Sequence, residues 1–485
     1  MSFNNNKFRK MKKIILGSLV ALSLTACSDE NYANLNVDPK NPIEVPGNFL
    51  FTNGVKSLFD QMGNTSVNRN IFRLVAQQWT ECQYTEETNY DIRNRGIPDT
   101  HMNLMYTNVL HDLKKAKEAI AADEELFPNE KVNPEAMITI VEVYAWQQLV
   151  DLFGNIPYSE ALQGLNNTTP KYDDGLTIYK DLLTKVTTAY NSLDASLPGM
   201  ERDIVYNNDI SKWKKLAASL KFKLAMRLAD AEPTLSRQHA EEAYNMGLIS
   251  SNDDNFTLQY ENNTANAHPL YADLVLSGRQ DFVPADTFVD YLNDLEDPRR
   301  PVFFDDNKTP YVGGVYGDFN TYTDYTNIGK VFFTRTLKGD LMDYSEISFL
   351  LSEAKERNYN VGSTAAAYYT QGITASMEYW GIPAADITTY LNRTDVDYDT
   401  APGTWKERLA KQFWIAMYNR GFEAWSVWRM YDAPGLRLPA ATETPVPFRF
   451  TYPVREQNLN GANLAAASAA IGGDTQQTKL FWDKF

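Results

Sequence analysis

The stretch Asn133–Gly154, NPEAMITIVEVYAWQQLVDLFG, determines the kind of fold that this chain adopts. Several of its residues recur at the spacing of one helical face, as in Val141, Tyr144, Ala145, Gln148 and Leu149. Asn133 and Pro134 have the residue types of an N-cap and a first helical position, and they predict a helix over Glu135–Phe153. Gly154 is predicted to end it.

Similar helical patterns extend in both directions from this stretch. They predict helices over 48–62, 68–81, 101–122, 175–193, 211–230, 234–246, 284–294, 343–359, 363–380 and 404–431. Consecutive amphipathic helices with short turns indicate an all-α fold of stacked helical hairpins of the tetratricopeptide kind, with degenerate repeats, since strict 34-residue signatures are absent. The aromatic stripe of Trp405–Met430, which includes Trp425, has the spacing of core residues.

Two regions have a different composition. Residues from about 250 to 340 are rich in Asn, Asp, Gly, Thr and Tyr, and they predict a long loop region with room for a hairpin. Residues 434–473 are rich in Pro, Ala, Gly and Asn. Because long loops in a compact body are usually functional or disordered, the 250–340 insert is the first place to seek a ligand site.

The start of the chain resembles a bacterial lipoprotein signal. A basic cluster precedes an apolar stretch from Ile14 to Leu24, and small residues lead to Cys27. This pattern predicts a signal peptide over 1–26 and a diacylglycerol on the Cys27 sulfur. An ordinary signal peptide with a coincidental cysteine is the alternative. The apolar stretch is too short and too early to span a membrane.

The residues after Cys27 predict a tether. Ser28–Asn31 is polar and acidic, and Val37–Pro42 is rich in turn formers. We therefore expect residues 27–47 to carry a lipid-anchored body, which is a single helical domain over 48–485. An acidic stretch behind the lipid cysteine resembles the signal that sends some lipoproteins to the outer face of the outer membrane, although a plain solvated linker has the same composition.

Charge and cysteine content exclude some classes of protein. Removal of the five basic residues ahead of Cys27 takes the net charge from −16 to −21, which argues against a nucleic-acid ligand, because phosphates require a basic surface. With Cys27 acylated, Cys82 has no partner for a disulfide, and we expect it to be a small buried residue.

Motifs for catalysis are weak. None of the four histidines forms HExxH or pairs with a cysteine at zinc spacing, and no GxSxG or phosphate-binding glycine loop is present. A pair of glycosidase carboxylates cannot be recognised from sequence. The sequence therefore favours a binding protein over an enzyme, with no cofactor and no metal.

Aromatic residues in polar loops point to a ligand site. The loop 84–93 supplies Tyr84, Asn89, Tyr90, Asp91 and Arg93 as one predicted wall. A second wall would come from Tyr311, Tyr316, Tyr322 and Tyr325, with Arg335 crossing between the two. Flat rings cover the apolar face of a sugar, while Asp, Asn and Arg hold its hydroxyl rim. The alternative is that these tyrosines cover helix ends with their hydroxyls in water.

Several segments in order along the chain resemble the SusD/RagB family of outer-membrane nutrient-binding lipoproteins, especially its SusD-like branch. They are Asn36–Pro42 behind the lipid cysteine, Tyr144–Ala161 (YAWQQLVDLFGNIPYSEA), Met342–Ala354 (MDYSEISFLLSEA), Gln412–Arg429, Arg449–Pro453, Gly472–Asp474 and Phe481–Asp483. Ser352 stands where that family usually has alanine. These residues identify the scaffold and not the ligand.

The resemblance implies a helical body with tetratricopeptide-like pairs and a loop-rich part that holds the ligand. It also implies a partner, a SusC-like TonB-dependent outer-membrane barrel that the lipoprotein covers as a hinged lid. We expect an oligosaccharide or polysaccharide ligand at the cell surface. A peptide ligand for a RagB-like lid, or a periplasmic helical-repeat scaffold that binds only protein, are the alternatives.

Overall fold

Helices account for most of the architecture in the computed structural model, which describes residues 45–484. The predicted signal peptide, Cys27 and most of the tether lie outside the described residues. In chain order the helices of the first half are α1 (Gly47–Gly63), α2 (Phe72–Val75), α3 (Ile97–Leu104), α4 (His111–Ala122), α5 (Pro128–Phe153), α6 (Gly175–Ser192), α7 (Ile210–Arg227) and α8 (Pro233–Met246). A π-helical segment, Met105–Leu110, joins α3 to α4.

The second half contains shorter helices and two further hairpins. These helices are α9 (Pro269–Tyr271), α10 (Asp286–Asp294), α11 (Arg300–Phe303), α12 (Tyr344–Glu356), α13 (Ala365–Tyr379), α14 (Ala384–Leu391), α15 (Trp405–Ala416), α16 (Gly421–Tyr431), α17 (Val454–Leu459) and α18 (Gly461–Ala470). Consecutive long helices pack in pairs, α5 on α6, α7 on α8 and α12 on α13. The prediction of an all-α fold built from helical hairpins is confirmed.

Helix α5 begins earlier than the sequence predicted. It starts at Pro128, where the Phe127 N–H donates to the Glu130 carboxylate (2.8 Å), and Pro134 lies inside it. Asn133 is not a cap, because its side chain is buried and binds the backbone of the loop 194–198, accepting from the Asp194 N–H (2.8 Å). The predicted end is confirmed, since Gly154 follows with φ 83°.

Two other predicted helices are wrong. The helix expected over 68–81 is only the turn α2, followed by a left-handed Gln77 (φ 55°) and a strand. The helix expected over 404–431 is broken between α15 and α16, where Asn419 has φ 68°. Gly421 lies so close to α2 that a Cβ there would be 2.4 Å from the Phe72 carbonyl carbon. The aromatic stripe belongs to the core as expected, with Trp425 fully buried.

Strands are few and short, and they form three antiparallel pairs. Strand β1 (Trp79–Glu81) pairs with β5 (Phe282–Pro284), with Thr80 opposite Val283. Strand β2 (Ile156–Pro157) pairs with β3 (Tyr172–Asp173). Strand β4 (Phe256–Gln259) pairs with β6 (Lys338–Met342). The last pair joins the two ends of the loop-rich insert, so that the insert begins and ends beside α12.

Charged side chains meet inside the helical body. Lys223 on α7 lies between Glu346 on α12 (2.9 Å) and Glu423 on α16 (2.5 Å), and Arg420 contacts Glu346 (2.5 Å). All four residues, here called the ion network, are buried. Although burial raises the pKa of Glu346, the two cations hold it below its usual value.

Cys82 is buried, as expected, and burial raises the pKa of its thiol. Within residues 45–484, no helix combines the length and the apolar character that crossing a membrane requires.

Candidate ligand-binding face

The two predicted loops meet at the β1–β5 pair. The first loop is 84–93, and the second is the segment that carries Tyr311, Tyr316, Tyr322 and Tyr325. Just beyond β1, the Cys82 N–H donates to the Asp281 carbonyl (2.8 Å), and the Cys82 carbonyl accepts from the Asn320 N–H (2.8 Å). The chain leading to Tyr84 is therefore held between the segment before β5 and the loop that ends at Asn320. The structure brings the two loops together, as the sequence predicted.

Asn320 fixes the conformation of the second loop. Its buried side-chain amide donates to the carbonyls of Glu81 (2.9 Å), Val315 (2.9 Å) and Asp318 (2.8 Å). Its Oδ1 accepts from the Val315 N–H (2.8 Å). One side chain thus satisfies several backbone groups that the irregular loop would otherwise leave unpaired.

Two glycines let this loop approach the sheet. The Gly314 N–H donates to the Pro284 carbonyl (2.9 Å), and its carbonyl accepts from the Asp286 N–H (2.8 Å). A Cβ at Gly314 would lie 2.5 Å from Val283, and one at Gly313 would lie 2.4 Å from the Asp286 Cα. Only glycine permits this contact between loop and sheet.

Tyr90 and Tyr316 differ from their predicted role as ligand-stacking rings. They are only 3% and 1% exposed, and their ring centres are 6.1 Å apart. The Tyr316 hydroxyl donates to the Leu74 carbonyl (2.8 Å), and the Gln77 amide donates to the Tyr90 hydroxyl (3.2 Å). Burial raises the pKa of Tyr90 to about 12. These rings connect the two loops inside the protein, and neither ring has a face open to a ligand.

Asn89 also acts within the protein. Its amide donates to the carbonyls of Thr85 (2.7 Å) and Gly317 (3.0 Å), and its Oδ1 accepts from the Thr442 hydroxyl (2.8 Å). It therefore holds the first loop, the second loop and the C-terminal region in a fixed arrangement.

A pair of carboxyl groups lies beneath the first loop. Glu81 Oε2 accepts from the N–H and the hydroxyl of Thr88 (3.0 and 2.9 Å), while Glu87 pairs with Arg95 (2.6 Å). Both glutamates are buried and face one another, and burial together with the charge of Glu87 raises the pKa of Glu81 to about 9. The raised pKa favours the protonated form of Glu81 at neutral pH.

The exposed groups of this region form a small amphipathic surface. Tyr84 and Phe319 are each 62% exposed, and both adjoin the hydrogen bond between Cys82 and Asn320. The Arg279 guanidinium lies 5.8 Å from the centre of the Tyr84 ring and pairs with Asp281 (2.7 Å). We call Tyr84, Arg279, Phe319 and the half-buried Tyr322 the ligand face.

Sequence reasoning missed two members of this surface. Phe319 lies between the predicted residues Tyr316 and Tyr322, and an apolar ring in a polar loop was a usable signal. Arg279 carried no signal, because only the β1–β5 pairing brings it to Tyr84.

Four other predicted site residues, at positions 91, 93, 311 and 325, do not belong to the ligand face as defined above. Arg93 is exposed and Asp91 is half-buried, accepting from Asn94 (2.7 Å). The half-buried ring of Tyr311 packs against Phe304, and the Tyr325 carbonyl accepts from Asn307 (3.0 Å).

Arg335 does not lie where the sequence reasoning placed it. Its guanidinium lies over the Tyr271 ring (4.8 Å), and its carbonyl accepts from the His268 N–H (2.9 Å). Pairing of β4 with β6 carries this residue toward α9 instead of carrying it between the two loops.

The ligand face has the chemistry of a binding surface for a partly apolar, hydroxyl-rich molecule. Exposed rings can cover an apolar C–H face, and an Arg–Asp pair beside them can exchange hydrogen bonds with hydroxyl groups.

The chain is similar to a described protein family and to several proteins of known structure. Residues 39–453 match the SusD-like family described as starch-binding and associating with the outer membrane. A chitin-binding protein of known structure is 27% identical with a TM-score of 0.77, covering 90% of this chain and 99% of its own. The search among curated proteins gave no match.

Two further solved structures share the fold. A SusD homologue from Bacteroides uniformis is 23% identical (TM-score 0.76) and covers 90% of this chain and 100% of its own. A chitin-binding SusD homologue from Flavobacterium johnsoniae is 22% identical (TM-score 0.75) and covers 90% of this chain and 98% of its own. The family match spans most of the chain, and the chain therefore belongs to the SusD-like family of starch-binding proteins that associate with the outer membrane.

Proposed function

We propose that this protein captures an oligosaccharide at the ligand face and delivers it to a transporter without changing it chemically. The observation that carries the proposal is the pair of exposed rings, Tyr84 and Phe319, beside the Arg279–Asp281 ion pair. The tyrosine rings at 90 and 316 in the same loops are buried, whereas these two rings meet solvent.

The glycan assignment rests on the chemistry of the face and on the family. A neutral polymer needs no charge-matched surface, and the acidic balance of the chain is no obstacle to it. The similar chitin-binding protein makes chito-oligosaccharides one candidate, and the family description makes starch fragments another. Binding without catalysis agrees with a family described by what it binds.

The lipid anchor and the partner belong to the same proposal. An acylated Cys27 would hold the domain on the outer membrane, facing outward, and residues 27–47 would be its tether. A SusC-like TonB-dependent barrel would be the transporter that the domain covers as a lid. The Cys27→Ala protein should leave the membrane fraction or remain an unprocessed precursor, and extraction in mild detergent should recover a large β-barrel with the wild type.

Calorimetric titration against maltoheptaose, chitohexaose and short peptides tests the ligand. We expect micromolar binding of at least one glycan, which corresponds to about −8 kcal/mol. Tyr84→Ala and Phe319→Ala should each weaken it roughly five- to tenfold, since one ring contact contributes about 1 kcal/mol. Phe127→Ala is the matched control, because Phe127 is 71% exposed on another part of the surface.

Wild-type affinity in both face variants would rule out this surface as the site. Binding of peptides and of no glycan would favour the RagB-like alternative, with backbone groups as the recognised feature. Recovery of soluble protein partners alone, with no ligand bound, would favour a helical-repeat scaffold.

A further inference from the structure

A second cleft, which shares no residue with the ligand face, lies between α3 with its π-helical continuation and the short helix α17. Its volume is about 220 Å³. Met102, Tyr106, Pro157 and Leu162 contribute apolar surface, and Asn103, Arg455 and Glu456 contribute polar groups. Nothing in the proposed capture of glycan by the ligand face uses this cleft.

Each wall of the second cleft is held by a hydrogen bond from another part of the chain. The Asp99 carboxylate accepts from the N–H groups of Val454 (3.0 Å) and Arg455 (2.8 Å), which fixes the start of α17 against α3. The Tyr106 hydroxyl donates to the Pro157 carbonyl (2.5 Å). Lys114 donates to the Leu162 carbonyl (2.6 Å). The cleft is therefore rigid before any ligand arrives.

Backbone irregularities accumulate at the same place. Tyr106 belongs to the π-helical segment Met105–Leu110, and Leu162 has φ 60°. π-helical turns inside α-helices often mark functional positions, and a left-handed conformation is unfavourable for a residue other than glycine. Both irregularities shape the apolar wall of the cleft.

Several polar groups at the rim have no partner within the part of the chain that the structure describes. Among residues 45–484, the Arg455 guanidinium and the Asn103 carboxamide form no hydrogen bond or ion pair. Glu456 uses only Oε2, which accepts from the Tyr172 hydroxyl (2.9 Å). Donors and acceptors thus remain available around an apolar floor.

We propose that the second cleft is a saccharide subsite for a single sugar residue, separate from the ligand face. A sugar ring offers an apolar face to the floor and hydroxyl groups to the rim, and these can use both its donors and its acceptors. The cleft is smaller than the roughly 300–1,000 Å³ of sites for drug-sized ligands, which favours a ligand of one ring. The lining of the cleft contains one cationic side chain, Arg455, and two carboxylates, Asp99 and Glu456. This excess of negative charge disfavours an anionic ligand.

This inference rests on the proposed glycan-binding function and extends it to a second point of contact. A glycan held at two places would gain avidity if its length matches their separation. A single sugar would bind either place alone, so a probe of one ring tests the second cleft without the ligand face.

The test uses the full domain with ¹³C-labelled methionine methyl groups. The Met102 methyl lines the cleft, its signal is assigned with Met102→Leu, and Met417, in the core, is the internal reference. N-acetylglucosamine and glucose are the probes. We expect a saturable shift of the Met102 signal with at least one of them, unchanged in Tyr84→Ala, and no shift of the Met417 signal.

Two variants separate binding from folding. Ala161→Tyr should fill the cleft and abolish the shift, whereas Leu165→Tyr, at a residue that is 97% exposed, should leave it intact. Arg455→Ala, at an exposed residue, should weaken binding roughly three- to tenfold with an unchanged melting curve.

Absence of a saturable Met102 shift with both sugars overturns the second cleft as a saccharide site, even if longer glycans bind at the ligand face. A stronger shift with a proline-containing tripeptide than with either sugar overturns it as well. If Met102 responds but Tyr84→Ala and Phe319→Ala bind long glycans normally, the ligand face fails and the second cleft stands.

Discussion

The helical body and the ligand face use polar side chains in opposite ways. In the body, Lys223 and Arg420 both pair with Glu346, and all three residues are buried. At the ligand face, buried amides such as Asn320 hold the backbone, while Tyr84 and Phe319 remain at the surface. The body thus satisfies its charges internally, whereas the face leaves rings and one ion pair available to a ligand.

This difference separates residues that determine stability from residues that determine binding. Removing one member of a buried ion pair leaves an uncompensated charge and destabilises a protein strongly. Removing an exposed ring changes folding little. The following predictions test this separation, from the largest expected effect to the smallest.

Lys223→Ala should produce the largest loss. It leaves Glu346 and Glu423 buried without their ammonium partner, and we expect the free energy of unfolding to fall by about 3–5 kcal/mol. Chemical denaturation followed by circular dichroism measures it. Lys56→Ala, which removes a partly exposed pair with Asp60, is the matched control and should cost less than about 1 kcal/mol.

Tyr316→Ala should destabilise the protein by about 3–4 kcal/mol, because it empties the space of a buried ring. Tyr316→Phe keeps the ring and loses only the hydrogen bond to the Leu74 carbonyl, at a cost of about 1 kcal/mol. Melting curves of the two variants separate these contributions. A stable Tyr316→Ala protein with weakened glycan binding would instead restore Tyr316 as a contact residue.

Glu81→Gln should stabilise the protein and flatten its pH dependence. The pKa of Glu81 is raised from 4.5 to about 9, so between these values the folded protein holds a proton that the unfolded chain has lost. Stability therefore falls as the pH rises through this window, and the substitution removes that loss, which is about 3 kcal/mol at pH 7.

Melting temperatures measured from pH 5 to pH 9 test the Glu81 prediction. The exposed neighbour Glu86 supplies the control variant Glu86→Gln, which should follow the wild-type curve. Parallel curves for wild type and Glu81→Gln would contradict the raised pKa of Glu81.

Arg279→Ala should have the smallest effect. It removes the cation beside the Tyr84 ring, and we expect glycan affinity to fall roughly two- to fivefold with no change in melting temperature. Calorimetric titration measures it. A lower melting temperature with unchanged affinity would show that Arg279 stabilises the fold and does not contact the ligand.

Much of the helical body was predictable because its helices carry their own local signals. Periodic apolar positions and Gly154 define α5 apart from about its first two turns, whereas Asn133 and Pro134 mimic a cap that the structure does not use. The helix expected over 68–81 stops at α2 because Gln77 is left-handed and the next residues pair with β5, while the Gln78 side chain donates to the Met417 carbonyl across 339 positions. No local pattern contains such a contact.

The candidate site was predictable as two loops but not as individual residues. Tyr84 and Tyr90 lie six positions apart in one polar segment, yet one ring is exposed and the other is buried. Tyr90 turns inward because Tyr316 and Gln77 receive it there. Composition can show that rings are present in a loop, but it cannot show which of them meets solvent.

The sequence by itself determined the helical class and the family, and it drew attention to the two loops that carry Tyr84 and Phe319, because periodicity, turn residues and motif order are local properties of the chain. Only the tertiary structure decided which rings are exposed, that Glu81 faces Glu87, and that α3 and α17 enclose a second cleft. Those features depend on contacts between segments far apart in the chain, and burial and charge at each residue are set by the neighbours that folding brings to it.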